Sequence, residues 1–179
     1  MIDFKTQYDM APNVALFYAM VEENYLRFMK GVEGIAKDEF HFKGLEGTEN
    51  SIAQLIKHLA YTDLAWNYRI RGSAIPDDLE QIYGPSEENG KLPSVDCQTP
   101  IHTLLDQYDL VMTELKETCV RLSDEDLSKG VSYEGKEATI RWGLWHIADH
   151  NRYHQAHIHL MKKWYKEKTF ASFGFGKGK

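Results

Sequence analysis

The sequence contains little that would support disulfides, membrane insertion or nucleic-acid binding. Its two cysteines, Cys97 and Cys119, show no CxxC spacing, which indicates reduced thiols rather than a disulfide framework or a cysteine-ligated zinc site. No run of about 18 apolar residues could span a bilayer, and the first residues lack the layout of a signal peptide. The formal net charge of -6 argues against a broad nucleic-acid-binding surface. We therefore predict a cytoplasmic protein that binds neither membranes nor nucleic acids.

The length of 179 residues suits one well-filled hydrophobic core and is short for two. We predict a single helical domain over residues 1–167. The remaining residues, 168–179, are rich in glycine and lysine and are predicted to form a flexible C-terminal tail.

Apolar residues recur at three- and four-residue spacing in four long segments, which is the period of an amphipathic helix. The predicted helices cover approximately residues 11–35, 52–72, 100–120 and 138–166. The third is predicted to have Thr99 as its N-cap and Pro100 at its first helical position. No run shows a convincing strand alternation, and long connections link the helices. The sequence therefore predicts an all-α fold, a four-helix bundle with long crossover connections.

The segment HIADHNRYHQAHIH, in the fourth predicted helix, holds five of the eight histidines. Residues four apart share a helix face, so His146, His150 and His154 form a ladder that His157 continues, while His159 points elsewhere. Two imidazoles one turn apart can bind one metal ion together. A further protein ligand would have to come from another helix.

His58 differs from the remaining histidines, because it lies in the middle of the second predicted helix. Its helix face is polar or small in character and comprises Ser51, Gln54, Leu55, Tyr61, Thr62, Ala65 and Arg69. Such a face is unusual for a sealed core and typical of the wall of a wet pocket. His41 and His102 are predicted to lie near the ends of the bundle. The alternative, that these histidines are solvated or satisfied core residues, stays open.

Two familiar metal sites are excluded by the spacing. A ferritin-like di-iron bundle requires Glu-x-x-His pairs, and the sequence has none. A zincin helix requires Glu directly after the first histidine of the pair, and Asn151 occupies that position. The usual hydrolytic base is therefore missing.

The two histidine-bearing segments together resemble the DinB/YfiT-like superfamily of metal-binding bundle proteins, which is distinct from the DNA polymerase that shares the name. The segments are SIAQLIKHLAYTDLAWNYRIRG and GKEATIRWGLWHIADHNRYHQAHI. The resemblance implies a divalent metal ion bound by His58, His150 and His154. Zinc or nickel is expected, with iron or manganese as alternatives. It also implies a homodimer.

Three positions depart from the commonest pattern of this superfamily. Asn151 replaces a frequent glutamate, and Ala156 and His157 stand where glycine and glutamine are usual. Ala156 is still small enough for close helix packing. His157 adds an imidazole near the implied site, where it could alter the preferred metal or substrate.

The predicted function is a metal-dependent enzyme that activates water or a low-molecular-weight thiol for attack on a small-molecule electrophile. A thiol transferase or isomerase is favoured over a hydrolase, with His146 or His157 as auxiliary groups. Substrate specificity is expected from the first and third predicted helices, where Tyr8, Tyr18 and Tyr108 are candidates. A non-catalytic metal- or ligand-binding stress-response protein is the alternative, and a plain structural bundle is a third interpretation.

Overall fold

A computed structural model describes residues 1–6 and 9–173, and its architecture is mostly helical, as predicted. The described elements are α1 (Pro12–Val32), α2 (Lys37–Phe40), α3 (Ile52–Arg71), α4 (Asp77–Tyr83), α5 (Ile101–Val120), a 3-10 turn (Asp126–Ser128), β1 (Gly130–Tyr133), β2 (Lys136–Thr139) and α6 (Ile140–Phe173). The long helices α1, α3, α5 and α6 form the bundle, and the short α2 and α4 lie in the long connections. Among the described residues, no helix is long and apolar enough to cross a membrane.

Helix α3 has well-defined ends, which fix where its histidine lies. The Ser51 side chain accepts a hydrogen bond from the Gln54 N–H, and the Gln54 side chain accepts one from the Ser51 N–H, so the two form a capping box. At the other end Gly72 adopts a left-handed conformation with φ of 67°, as glycine does readily. Both ends agree with the prediction.

The start of α5 corrects the prediction that Thr99 is its N-cap. Pro100 occupies that position with an extended backbone (ψ 145°), and the first helical residue is Ile101. No side-chain hydrogen bond caps this end. The ψ angle of Pro100 lies far from the helical region, so the helix cannot begin there.

A small antiparallel hairpin precedes α6 where the sequence indicated no strand. Strands β1 and β2 pair Gly130 with Thr139 and Tyr133 with Lys136. Glu134 and Gly135 form the turn with φ of 49° and 73°. The Thr139 hydroxyl accepts a hydrogen bond of 3.2 Å from the Trp142 N–H and so caps the N-terminus of α6. Each strand has only four residues, and a pattern of that length does not stand out in the sequence.

Helix α6 is longer than predicted, since it extends to Phe173 rather than ending near Lys166. Residues 168–173 of the predicted tail therefore belong to the helix. Residues 174–179 of that tail lie outside the described part of the chain.

The packing of the long helices brings the two histidine-bearing helices side by side. Helix α3 contacts both α5 and α6, and α1 packs against α6. Close approach of α3 and α6 depends on Gly143, because a Cβ atom there would lie 2.6 Å from Cζ3 of the buried Trp66. The absence of a side chain at position 143 thus lets the indole pack directly against the backbone of α6.

Candidate metal centre

Three histidines from two helices converge on one point between α3 and α6. The Nε2 atom of His150 lies 3.2 Å from Nε2 of His58 and 3.0 Å from Nε2 of His154. One ring nitrogen from each of the three residues lies within 4.8 Å of the others. Two nitrogens on a tetrahedral zinc ion, with bonds of about 2.0–2.1 Å, are roughly 3.4 Å apart. The cluster therefore has dimensions that suit one small divalent ion.

In His58 and His154, the ring nitrogen that faces away from the cluster, Nδ1, also contacts a neighbouring atom. Nδ1 of His58 lies 3.2 Å from the carbonyl oxygen of Ser86, an atom that can only accept a hydrogen bond. A proton on Nδ1 of His58 would donate to this carbonyl and leave the Nε2 lone pair free to bind a metal. The Ser86 hydroxyl also lies 3.3 Å from Nδ1. Nδ1 of His154 lies 3.4 Å from Nδ1 of His157, so His157 helps to orient His154.

Burial keeps the converging imidazoles uncharged near neutral pH. Burial, together with the smaller effect of neighbouring imidazoles, lowers the pKa of His150 to about 4 and that of His154 to about 3. Burial also lowers the pKa of His58. Neutral imidazole is the form that binds metal ions, so the cluster presents three nitrogen lone pairs without a proton to displace.

The other histidines of α6 divide as their spacing predicted. His146 stacks on His150 with ring centroids 5.5 Å apart and an interplanar angle of 15°, and its Nε2 lies 3.3 Å from the Tyr133 hydroxyl. His146 and His157 both face the same cavity as the cluster. His159 lies instead beside Gly31 of α1, so it faces away from the site.

The cluster opens into a cavity of about 630 Å³ between the two helices. The face of α3 that was predicted to line a pocket lines this cavity at Leu55, Tyr61, Thr62, Ala65 and Arg69. Ser51 and Gln54 of the same predicted face are buried and form the helix cap. The prediction for this face was therefore right apart from its first turn.

The rest of the cavity wall comes from segments that the sequence analysis did not assign to the site. The connection after α4 contributes Ser86, Glu87 and Lys91, and the hairpin contributes Tyr133 and Glu134. Ser86 contacts His58 through both its backbone carbonyl and its hydroxyl group, and it lies in an irregular connection where no periodic pattern marks it. For Tyr133 and Glu134, the available sequence signal was the Glu-Gly turn at the tip of the hairpin.

Two of the three tyrosines predicted to set specificity, Tyr18 and Tyr108, do not line this cavity. Tyr18 and Tyr108 are almost completely buried in the core, and Tyr8 lies outside the described residues. The cavity lies between α3 and α6, so α1 and α5 contribute nothing to its wall. The cavity-facing tyrosines are Tyr61, Tyr133 and Tyr153.

Asn151 faces the core rather than the cavity. Its Nδ2 donates to the Tyr108 hydroxyl at 2.5 Å, and Tyr108 donates to Oδ2 of Asp63 at 2.7 Å. The Gln155 amide donates to Asn151 Oδ1 and to the carbonyl of Asn24, both at 2.8 Å. This buried network binds α6 to α1, α3 and α5. Asn151 is thus a structural residue. The carboxylates of the cavity wall belong instead to Glu87 and Glu134.

Comparison with known proteins identifies the family. A family model described as the DinB superfamily matches residues 20–158, a range that contains the three converging histidines. The chain is also 45% identical over 168 residues to a Bacillus subtilis (strain 168) protein described as "Uncharacterized protein YkkA", and the match covers 93% of this chain and 96% of that protein. The chain belongs to the DinB superfamily.

Proposed function

We propose that His58, His150 and His154 bind one divalent metal ion, with zinc or nickel first and iron or manganese as alternatives. The convergence of three uncharged imidazoles supports this assignment, since Nε2 of His150 lies 3.2 Å from that of His58 and 3.0 Å from that of His154. The Ser86 carbonyl behind His58 is the kind of outer contact that fixes a metal-binding tautomer. Three nitrogen ligands without a carboxylate suit zinc, nickel or iron better than magnesium or calcium.

The proposed activity is the attack of an activated water or small thiol on a small-molecule electrophile. When bound, the ion would lower the pKa of such a nucleophile toward neutrality. Three neutral imidazoles leave the positive charge of the ion uncompensated, which favours an anionic ligand such as a thiolate. His146 and His157 contact His150 and His154 and are proposed to orient them. We favour a thiol transferase or isomerase over a hydrolase.

Metal analysis of protein that has met no chelator and no affinity-tag column tests the assignment. We expect about one equivalent of a divalent metal in the parent protein and a loss of most of it in the variants His58→Ala and His154→Ala. His159→Ala is the matched control, since His159 lies on the same helix but off the cluster. Equal metal content in the parent and in both ligand variants would refute the proposal.

A non-catalytic metal-binding role is the second candidate, because the three histidines link two long helices of the bundle. In that case chelation would lower the melting temperature, while metal-loaded protein would convert no substrate. The enzyme proposal predicts instead that loaded protein accelerates the reaction of a small thiol with an activated aryl halide. His154→Ala should lose this acceleration.

We also propose that the protein is a homodimer. The support for this is the resemblance to the superfamily, whose members are frequently dimers. Light scattering of the purified full-length chain should give twice the mass of 20.7 kDa, and a mass equal to that of one chain would refute the proposal.

A further inference from the structure

Arg69 lines the same cavity as the histidine cluster, from the same face of α3 as His58. The two residues are separated by three helical turns, which is roughly 16 Å along the helix axis. Arg69 is half-buried and is one of the residues that line the cavity. The cavity therefore contains a cation at a distance from the proposed metal site.

The guanidinium group of Arg69 rests on an aromatic surface. Its Cζ lies 5.3 Å from the centroid of the Trp66 ring and 5.5 Å from that of Tyr133, and these two rings lie 4.8 Å apart. Such contacts hold the planar group in place without using its N–H donors. Tyr133 in turn contacts His146, which stacks on His150, so continuous side-chain contacts join this surface to the cluster.

Among the described residues, the Arg69 side chain makes no hydrogen bond or ion pair. Every other arginine of the sequence makes one: Arg27, Arg71 and Arg121 pair with glutamates, Arg141 donates to Ser128, and Arg152 donates to Gln155. An arginine that is fixed by aromatic contacts but whose donors are unused is prepared to bind an anion.

We propose that Arg69 binds a carboxylate group of the substrate or thiol whose reactive end occupies the metal site. This proposal rests on the proposed function and adds a substrate class to it: molecules with a carboxylate and a reactive group separated by several bonds. The planar fork of an arginine matches a carboxylate with two parallel hydrogen bonds. Arg69 and Lys91 are balanced by Glu87 and Glu134 in the cavity wall, which favours a singly charged group over a phosphate dianion.

The test compares two thiols that differ only at the far end, 6-mercaptohexanoate and 6-mercaptohexan-1-ol. The full-length protein is loaded with cobalt(II), and thiolate binding is followed by the sulfur-to-cobalt absorption band. We expect the carboxylate thiol to bind about tenfold more tightly than the alcohol. Arg69→Met keeps the contact with the rings and should abolish the preference for the carboxylate thiol. Arg69→Lys should retain part of that preference.

The matched control is Arg71→Met. Arg71 lies two residues further along α3, packs over Tyr68 at 4.8 Å and pairs with Glu114 at 3.7 Å, outside the cavity. It should retain the full preference for the carboxylate thiol. Cobalt content and circular dichroism of each variant confirm that the comparison is made between folded, loaded proteins.

Calorimetric titration with hexanoate, which carries no thiol, separates this proposal from the proposed function. If no thiol changes the cobalt band but hexanoate binds the parent and not Arg69→Met, thiol activation fails and the carboxylate site stands. If both thiols bind the parent equally, or if Arg69→Met keeps the preference, the carboxylate site is refuted while thiol binding stands. Absence of both kinds of binding refutes both proposals.

Discussion

The ring nitrogens that face away from the cluster decide how firmly each histidine is held. His58 and His154 have a neighbouring atom at Nδ1, whereas Nδ1 of His150 is buried without a hydrogen-bond partner among the described residues. The ring of His150 is positioned instead by stacking on His146. The central histidine of the cluster therefore depends on an aromatic contact for its orientation.

This arrangement predicts that His146 matters for metal affinity although it is not a proposed ligand. His146→Ala removes the stacking partner and should weaken metal binding by about tenfold, the low end of the effect of outer contacts on metal sites. His146→Phe retains a flat ring and should bind metal nearly as well as the parent. The dissociation constant is measured by competition with a chromophoric chelator. Equal losses in both variants would mean that the imidazole nitrogens, rather than stacking, are responsible.

Asp63 should give the protein a distinctive pH dependence of stability. Complete burial raises the pKa of its carboxyl group from 3.8 to about 7. The folded protein therefore binds a proton that the unfolded chain releases, so the free energy of unfolding falls as the pH rises from about 4 to about 7 and stays lower above that. Between about pH 5 and pH 8 the loss is on the order of 3 kcal/mol.

Urea unfolding of Asp63→Asn measures this contribution. The amide cannot ionise, so the stability of the variant relative to the parent should rise with pH over that range, in chelator-containing buffer. Asp106 is exposed, so Asp106→Asn serves as the control, and its free energy of unfolding should change with pH as that of the parent does. A difference between Asp63→Asn and the parent that is the same at every pH would show that the carboxyl group is already ionised in the folded protein.

At the scale of secondary-structure elements, the contact of α3 with α6 depends on the missing side chain at position 143. Gly143→Ala would place Cβ 2.6 Å from Cζ3 and 2.7 Å from Cε3 of the fully buried Trp66, in a region without space for the ring to move. We expect a loss of about 1–3 kcal/mol in the free energy of unfolding, despite the better helix propensity of alanine.

Gly31 provides the comparison for this substitution, because it is also helical and a Cβ there would meet only Nε2 of His159, at 3.6 Å. Gly31→Ala should therefore be neutral or stabilising by up to about 1 kcal/mol. Denaturant titrations of both variants give the two values. If Gly143→Ala were as stable as Gly31→Ala, the proposed tight contact between the helices would be wrong.

The elements that could be predicted are those whose signals are local. The ends of α3 follow from Ser51 and Gly72, and the histidine ladder follows from helical spacing alone. The convergence of His58 on that ladder needed the family resemblance, because spacing within one helix says nothing about its neighbour. The hairpin and the Ser86 contact could not be predicted, since one has mostly exposed four-residue strands and the other joins His58 to a residue 28 positions away in an irregular connection. The orientation of Asn151 depends on packing against three other helices.

For the whole molecule, an ion between α3 and α6 would bind only the folded state and so stabilise it. At a free concentration a thousandfold above the dissociation constant, the gain is about 4 kcal/mol, or roughly 10 °C in melting temperature for a chain of this size. Chelator should lower the melting temperature of the loaded parent by this amount and leave His154→Ala almost unchanged. Calorimetric scans with and without chelator make the measurement, and a parent insensitive to chelator would contradict it.

The buried network of Asp63, Tyr108, Asn151 and Gln155 has a consequence for how the helices align during folding. Apolar side chains pack almost as well when one helix slides by a turn along another, so the hydrophobic core alone discriminates weakly between such registers. Hydrogen bonds between specific buried groups would be broken by that slip, and each orphaned group would be penalised. The network thus selects the one register of α6 in which His150 and His154 are level with His58, so that polar core residues select the alignment on which the metal centre depends.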